Sequence, residues 1–246
     1  DHMGESELQL LHISSKAEDI IVDMIAHGRI VFLTGNPGDG KTFIIKAVRH
    51  KIGEDVYIQT DLNNIKDYSE VVKDLITLHS QKKPAIVAVN EYPFMQLCRQ
   101  IRKESQTLYD EIQNAKRNVL AYDISSSLAG NVAVVDLNER NMLGADYDLL
   151  SALIDKMVCL LEEDAKYNSA LNYNLTAFKN DFVREQILSL FQLAASECEH
   201  FAIRDILGAF SFIFTACTIE EYSNSLYFTA IFEGTNELLK TLQQFD

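Results

Sequence analysis

The 246-residue chain has no run of about 18 apolar residues, the length a membrane-spanning helix requires. Its longest apolar stretch, Ile206 to Ile219, is shorter and is interrupted by Ser211 and Thr215, so it reads as a buried helix. No secretory signal pattern opens the chain. Asp1-His2-Met3 reads as the remnant of an expression tag and is set aside. Cysteine is sparse: Cys98, Cys159, Cys198 and Cys217 are scattered, with no C-x-x-C pair. That spacing argues against a zinc site and a disulfide framework, and suits a reducing cytoplasm.

Positive charge is scarce in the second half. The formal net charge is −14. Up to Arg140 there are 16 Lys and Arg against 20 Asp and Glu; from Asn141 on there are 6 against 16. Phosphate backbones are bound by clustered positive charge, so the C-terminal part is a poor candidate for direct nucleic-acid contact. It is better suited to a basic protein partner or to simple solubility. What is present is ample apolar material: 47% of residues are hydrophobic, enough for a real core in one large domain or two small ones.

Glu5 to His27 reads as one amphipathic helix ended by Gly28. Ile30–Thr34 is a short apolar run of the kind buried on both faces of a parallel sheet. A helix from about Lys41 to His50 follows a glycine-rich loop. Val56–Thr60 is a second strand, Ser69 to His79 a helix, and Ala85–Val89 a third strand. Phe94 to Arg117 is helical with a break expected near Ser105, Val132–Asp136 is a strand, and Val119 to Ile124 is a candidate for one more. Strands alternating with helices imply an open parallel sheet. After Arg140 the apolar spacing turns helical: Leu149, Leu150 and Leu153, then Ile187, Leu190, Phe191 and Ala194, then Ile203, Ile206, Leu207 and Phe210. The expected class is therefore α/β, with a sheet domain over 1–140 and an all-helical domain over 141–246.

The chemistry is concentrated in Gly35-Asn36-Pro37-Gly38-Asp39-Gly40-Lys41-Thr42, a complete Walker A octad between an apolar strand and a helix. Glycines let backbone N–H groups close around phosphate oxygens, and the positive end of the following helix points at the same place. Lys41 is expected to bridge β- and γ-phosphates and Thr42 to hold Mg²⁺, which makes ATP with Mg²⁺ the expected ligands.

An acidic residue at the end of a neighbouring strand is the second expectation. Ala85–Val89 ends in Asn90-Glu91, about 50 residues after Lys41. Glu91 is placed to polarise an attacking water. Asn90 takes the position where Asp is usual; it can still bond a metal-bound water, but without charge. The rival is Asp136, at the end of Val132–Val135, whose bland reading is a turn cap. Asn138 is the candidate sensor of the γ-phosphate. Arg140 is a candidate arginine finger, and Arg204 a charge reaching from the start of an apolar helix. A local ion pair is the bland alternative for both arginines.

These residues resemble the AAA+ class of P-loop ATPases: a Walker A loop, a Walker B-like strand, a later strand with a polar tip, and a helical domain after the sheet. The resemblance implies ATP between sheet domain and helical lid, a ring or other oligomer, a sensor-1 role for Asn138 and a sensor-2 role for Arg204. Val89-Asn90-Glu91, Val135-Asp136-Leu137-Asn138-Glu139-Arg140, Ile203-Arg204-Asp205 with His200, and Phe232-Glu233-Gly234-Thr235-Asn236-Glu237-Leu238-Leu239 are further similar to the ATP-binding component of bacterial phosphorothioation-dependent DNA restriction, an anti-phage defence system. That implies a homo-oligomer or larger defence complex that meets DNA indirectly or when assembled. The departure at Asn90 bears on hydrolysis. Two other functions compete. A small-molecule P-loop kinase would use Asp61 to orient a substrate hydroxyl, although a turn or cap role suits Asp61 better. A nucleotide-dependent scaffold would bind ATP and scarcely hydrolyse it.

Overall fold

A computed structural model describes residues 10, 12–60, 62, 65–120, 130–139, 143, 149–197, 201–215, 226–235 and 237–245. The chain divides into two compact units, Ser14–Arg140 and a second made of Asp1–Ile13 with Asn141–Asp246.

The first unit is α/β. In chain order it contains α1 (Lys16–Ala26), β1 (Ile30–Thr34), α2 (Lys41–Val48), β2 (Tyr57–Gln59), α3 (Ser69–Gln81), β3 (Ala85–Val89), α4 (Glu91–Glu104), α5 (Gln106–Leu120) and β4 (Val132–Asp136), with a 3₁₀ turn at Leu137–Glu139. The four strands form an all-parallel sheet in the order β2-β3-β1-β4. β1 and β3 are buried at every position, as a strand covered on both faces must be. One face carries Val31, Leu33, Ile86, Ala88 and Ala133 against α1 and α2. The other carries Ile30, Phe32, Val87, Val89 and Val134 against α3, α4 and α5. The faces follow from chain direction. From β1 to β2 the chain steps one way across the sheet; from β2 to β3 and from β3 to β4 it steps back. Crossovers of a single hand then put α2 on one face and the later helices on the other.

Several boundaries differ from the sequence expectation, each for a local reason. The single helix expected over Glu5–His27 is interrupted: His12–Ser15 is not helical, and α1 starts afresh at Lys16. Ser15 is its N-cap, closed by a capping box in which the Glu18 carboxylate accepts the Ser15 N–H at 3.2 Å. Ile13, inside the break, packs against the helical core of its own unit, the one formed by Asp1–Ile13 with Asn141–Asp246. Val119, a candidate strand residue, belongs to the end of α5; 121–124 lie outside the described residues. The expected break near Ser105 is present, with Ser105 in extended backbone between α4 and α5.

Among the described residues, every regular element of the second unit is helical: α6 (Leu149–Ala165), α7 (Ser169–Phe178), α8 (Asp181–Glu197), α9 (Ile203–Thr215), α10 (Tyr227–Glu233) and α11 (Glu237–Leu242), with a 3₁₀ turn at Gln243–Phe245. Its core is mainly aliphatic, with Phe178, Phe191, Phe210 and Phe214 buried in it. Phe191 stacks on Phe210 with centroids 4.7 Å apart, and Phe178 meets Phe214 edge-on at 4.6 Å.

Candidate nucleotide-binding site

The loop between β1 and α2 is built by three glycines in left-handed backbone: Gly35 (φ 148°), Gly38 (φ 98°) and Gly40 (φ 86°), the last being the N-cap of α2. A side chain at Gly35 would be doubly excluded. Its Cβ would lie 2.8 Å from Asp39 Oδ2 and 3.0 Å from Leu137 Cβ. The loop is braced from within. Lys41 Nζ donates to the carbonyls of Gly35 and Asn36, both at 2.7 Å. The Asn36 N–H donates to Asp39 Oδ2 at 2.5 Å and to Asn138 Oδ1 at 3.2 Å. Asp39 is 1% exposed, whereas Asn36, Pro37 and Thr42 are exposed and Lys41 half-buried. The loop thus presents its outer side to solvent and keeps a carboxylate beneath.

Two strand tips flank it. In the parallel register Thr34 is level with Val89 on one side and Asp136 on the other. The next residues, Asn90 and Leu137, therefore stand on either side of Gly35. Because α2 and α4 leave toward opposite faces, β1 and β3 form a topological switch point, where the carboxyl ends of parallel strands open a crevice for ligands. Asn90 is the N-cap of α4 and its carbonyl accepts the Phe94 N–H at 2.9 Å; Glu91 is the first helical residue and is exposed. A carboxylate in a first helical turn is favoured by the helix dipole.

At β4, Asp136 Oδ1 accepts the Asn138 N–H at 3.0 Å, which is the turn-capping geometry. Asn138 reaches the loop backbone itself, through Asn36. The structure thus brings Asn138 to the octad; Asn90 follows the strand end level with Thr34, and Glu91 opens α4 from there. Arg204 is exposed in the first turn of α9, in the helical unit. Arg140, Asp61 and His200 lie outside the described residues. Sequence reasoning missed the brace from Asp39 to Asn36 and the packing of Leu137 on Gly35. Motif matching treats both positions as free, and their contacts arise only when the loop and the β4 tip are folded together.

Two further groups bear on the chemistry. The Thr34 hydroxyl, immediately before Gly35, is buried without a hydrogen-bond partner, a polar atom that a bound ligand or water would satisfy. The Cys98 thiol is pushed up to about 12 by burial, with Lys116 nearby pulling the other way, so it is no nucleophile at neutral pH. Of the basic residues on α4 and α5, Arg99, Arg102, Lys103 and Arg117 are exposed. Lys116 is half-buried, its ammonium 5.8 Å from the centroid of the Phe94 ring.

No protein-family model, curated protein or solved structure matches the chain.

The residues fit a nucleotide phosphate. The glycine cradle would be filled by any Cβ at Gly35, the lysine is held at the loop, and the helix N-terminus follows directly. Thr42 and Asn90 offer hard oxygen donors to Mg²⁺, which typically keeps several waters and takes the rest of its ligands from phosphates.

Proposed function

We propose that the chain binds ATP with Mg²⁺ through its Walker A loop and hydrolyses it, as an AAA+-like module. Its nucleotide state would control assembly or action on protein or DNA partners, in bacterial anti-phage restriction. The observation that carries the reading is the complete octad in its strand–loop–helix setting, with Lys41 held at 2.7 Å across the loop's own carbonyls. In that pose the ammonium is already oriented when phosphate arrives.

Each residue then has a role. The loop amides and Lys41 bind the β- and γ-phosphates. Thr42 and Asn90 hold Mg²⁺, which neutralises phosphate charge when bound. Glu91, exposed at the start of α4, orients the attacking water and accepts its proton. Asn138 links nucleotide occupancy to the β4 tip. Arg140 and Arg204 are the candidates for charge supplied by a neighbouring subunit or by the helical lid. An oligomer or defence complex is the setting in which those arginines, and any DNA, would be engaged.

The test is phosphate release from ATP by the pure protein, with and without DNA and partner proteins. Turnover that disappears in Glu91→Gln while ATP binding persists supports the assignment. Loss of turnover in Asp136→Asn but not in Glu91→Gln moves the catalytic base to β4. Tight ATP binding with no turnover under any condition makes the chain a nucleotide-dependent scaffold.

A further inference from the structure

We propose that Asp39 is a positioning residue that clamps the Gly35–Asn36 peptide and so pre-sets the phosphate loop; this rests on the nucleotide reading above. One peptide unit is gripped from both sides. Its carbonyl, Gly35 O, accepts from Lys41 Nζ at 2.7 Å, and its amide, Asn36 N–H, donates to Asp39 Oδ2 at 2.5 Å. A cation on the oxygen side and an anion on the amide side both align with the peptide dipole, so the plane cannot rotate without breaking two charge-assisted bonds.

The octad pattern leaves position 39 free, and a carboxylate is an unexpected choice beneath a triphosphate. Its 1% exposure and its inward bond show what it does there. It faces the loop's own backbone rather than the ligand's oxygens, which it would repel. The same geometry explains why position 35 must be glycine: a Cβ would sit 2.8 Å from that carboxylate oxygen. Asn138 Oδ1, at 3.2 Å from the same amide, is a second and longer acceptor from the β4 tip. The clamp therefore has a backup, and its full removal needs both side chains.

Two substitutions at position 39 separate geometry from charge. Asn at 39 keeps an oxygen for the Asn36 amide and removes a negative charge near the phosphates. Ala removes both. In nucleotide-free protein, hydrogen exchange at the Asn36 amide should be slow in the wild type and in Asp39→Asn. It should speed up in Asp39→Ala, and further in Asp39→Ala with Asn138→Ala. Titration with a fluorescent ATP analogue should give equal or tighter binding for Asp39→Asn and about tenfold weaker binding for Asp39→Ala, the loss of one charge-assisted hydrogen bond. Thermal melts of each variant establish which of them are folded. Unchanged Asn36 exchange in the doubly substituted chain, or folded Asp39→Asn binding as weakly as Asp39→Ala, overturns the clamp. No ATP binding by the wild type, or full binding by Lys41→Ala, overturns the nucleotide reading instead, and the exchange measurement reports the clamp independently of it.

Discussion

Asn174 is 1% exposed in α7, and its amide works in two directions. Nδ2 donates to the Phe214 carbonyl at 3.0 Å, at the end of α9, and Oδ1 accepts the Tyr227 N–H at 2.8 Å, at the start of α10. One side chain thus satisfies backbone groups at both ends of segment 215–226. Asn174→Ala leaves a carbonyl and an amide without these partners. The expected loss is about 2 to 6 kcal/mol, since two groups lose partners and each unsatisfied buried polar group costs about 1–3 kcal/mol. Urea unfolding followed by circular dichroism measures it; a loss under about 0.5 kcal/mol would mean that water replaces the amide. Cys98 gives a chemical test of burial. With its thiol pushed up to about 12 by desolvation, it should resist alkylation at neutral pH in the folded protein, while exposed Cys159 is labelled. Peptide mapping by mass spectrometry distinguishes the two. The role of Asn174 is not legible from the sequence: nothing around it in α7 marks it, because its partners are 40 and 53 residues away.

At the scale of elements, legibility tracked burial and periodicity. β3 runs Ala85–Val89, the bounds of its apolar run, because a strand covered on both faces leaves no polar position to blur the ends. β4 also keeps its expected bounds, Val132–Asp136, although its last two residues are half-buried. The second strand is shorter than its pattern. Tyr57–Gln59 is half-buried at the sheet edge, where a single neighbour, β3, fixes its pairing. The long N-terminal helix failed for the opposite reason. Its apolar spacing continues across Ser15, but the capping box restarts the helix there, and Ile13 packs with the helical core instead. Residues of the candidate site were legible where a motif encodes them, at 35–42. They were illegible where a contact depends on the sheet order, as between Asn138 and Asn36.

One element end also invites a stabilising change. Lys82 closes α3 with φ 53°, the one non-glycine residue in left-handed backbone among the described residues. Left-handed backbone costs an L-residue about 1–2 kcal/mol, and glycine's extra unfolded-state entropy offsets about half of that. Lys82→Gly should therefore raise stability by about 0.5–1 kcal/mol, read as an increase in the urea midpoint at constant slope. A fall in the midpoint would show that the Lys82 side chain contributes more than its backbone strain costs.

For the whole molecule, charge sets the expected behaviour toward DNA. The exposed cations of α4 and α5, Arg99, Arg102, Lys103 and Arg117, with half-buried Lys116, face a net charge of −14. Five phosphate contacts at most give a salt slope near −0.9 per contact, too little counterion release for tight binding by one chain. The isolated protein should shift duplex DNA weakly or not at all at physiological salt, and any affinity should appear with assembled chains or partners and fall steeply with salt. Tight, salt-insensitive binding by the monomer in a gel-shift titration would contradict this.

The measurement that tests the central claim most directly is titration of a fluorescent ATP analogue, with Mg²⁺, into the wild type and Lys41→Ala. The Lys41 ammonium is held by two loop carbonyls at 2.7 Å and is half-buried, so its loss should remove phosphate binding without disturbing the core. The wild type should bind saturably and Lys41→Ala not at all, with unchanged circular dichroism and melting temperature. No binding by the wild type, or equal affinity in a folded Lys41→Ala protein, would contradict the claim.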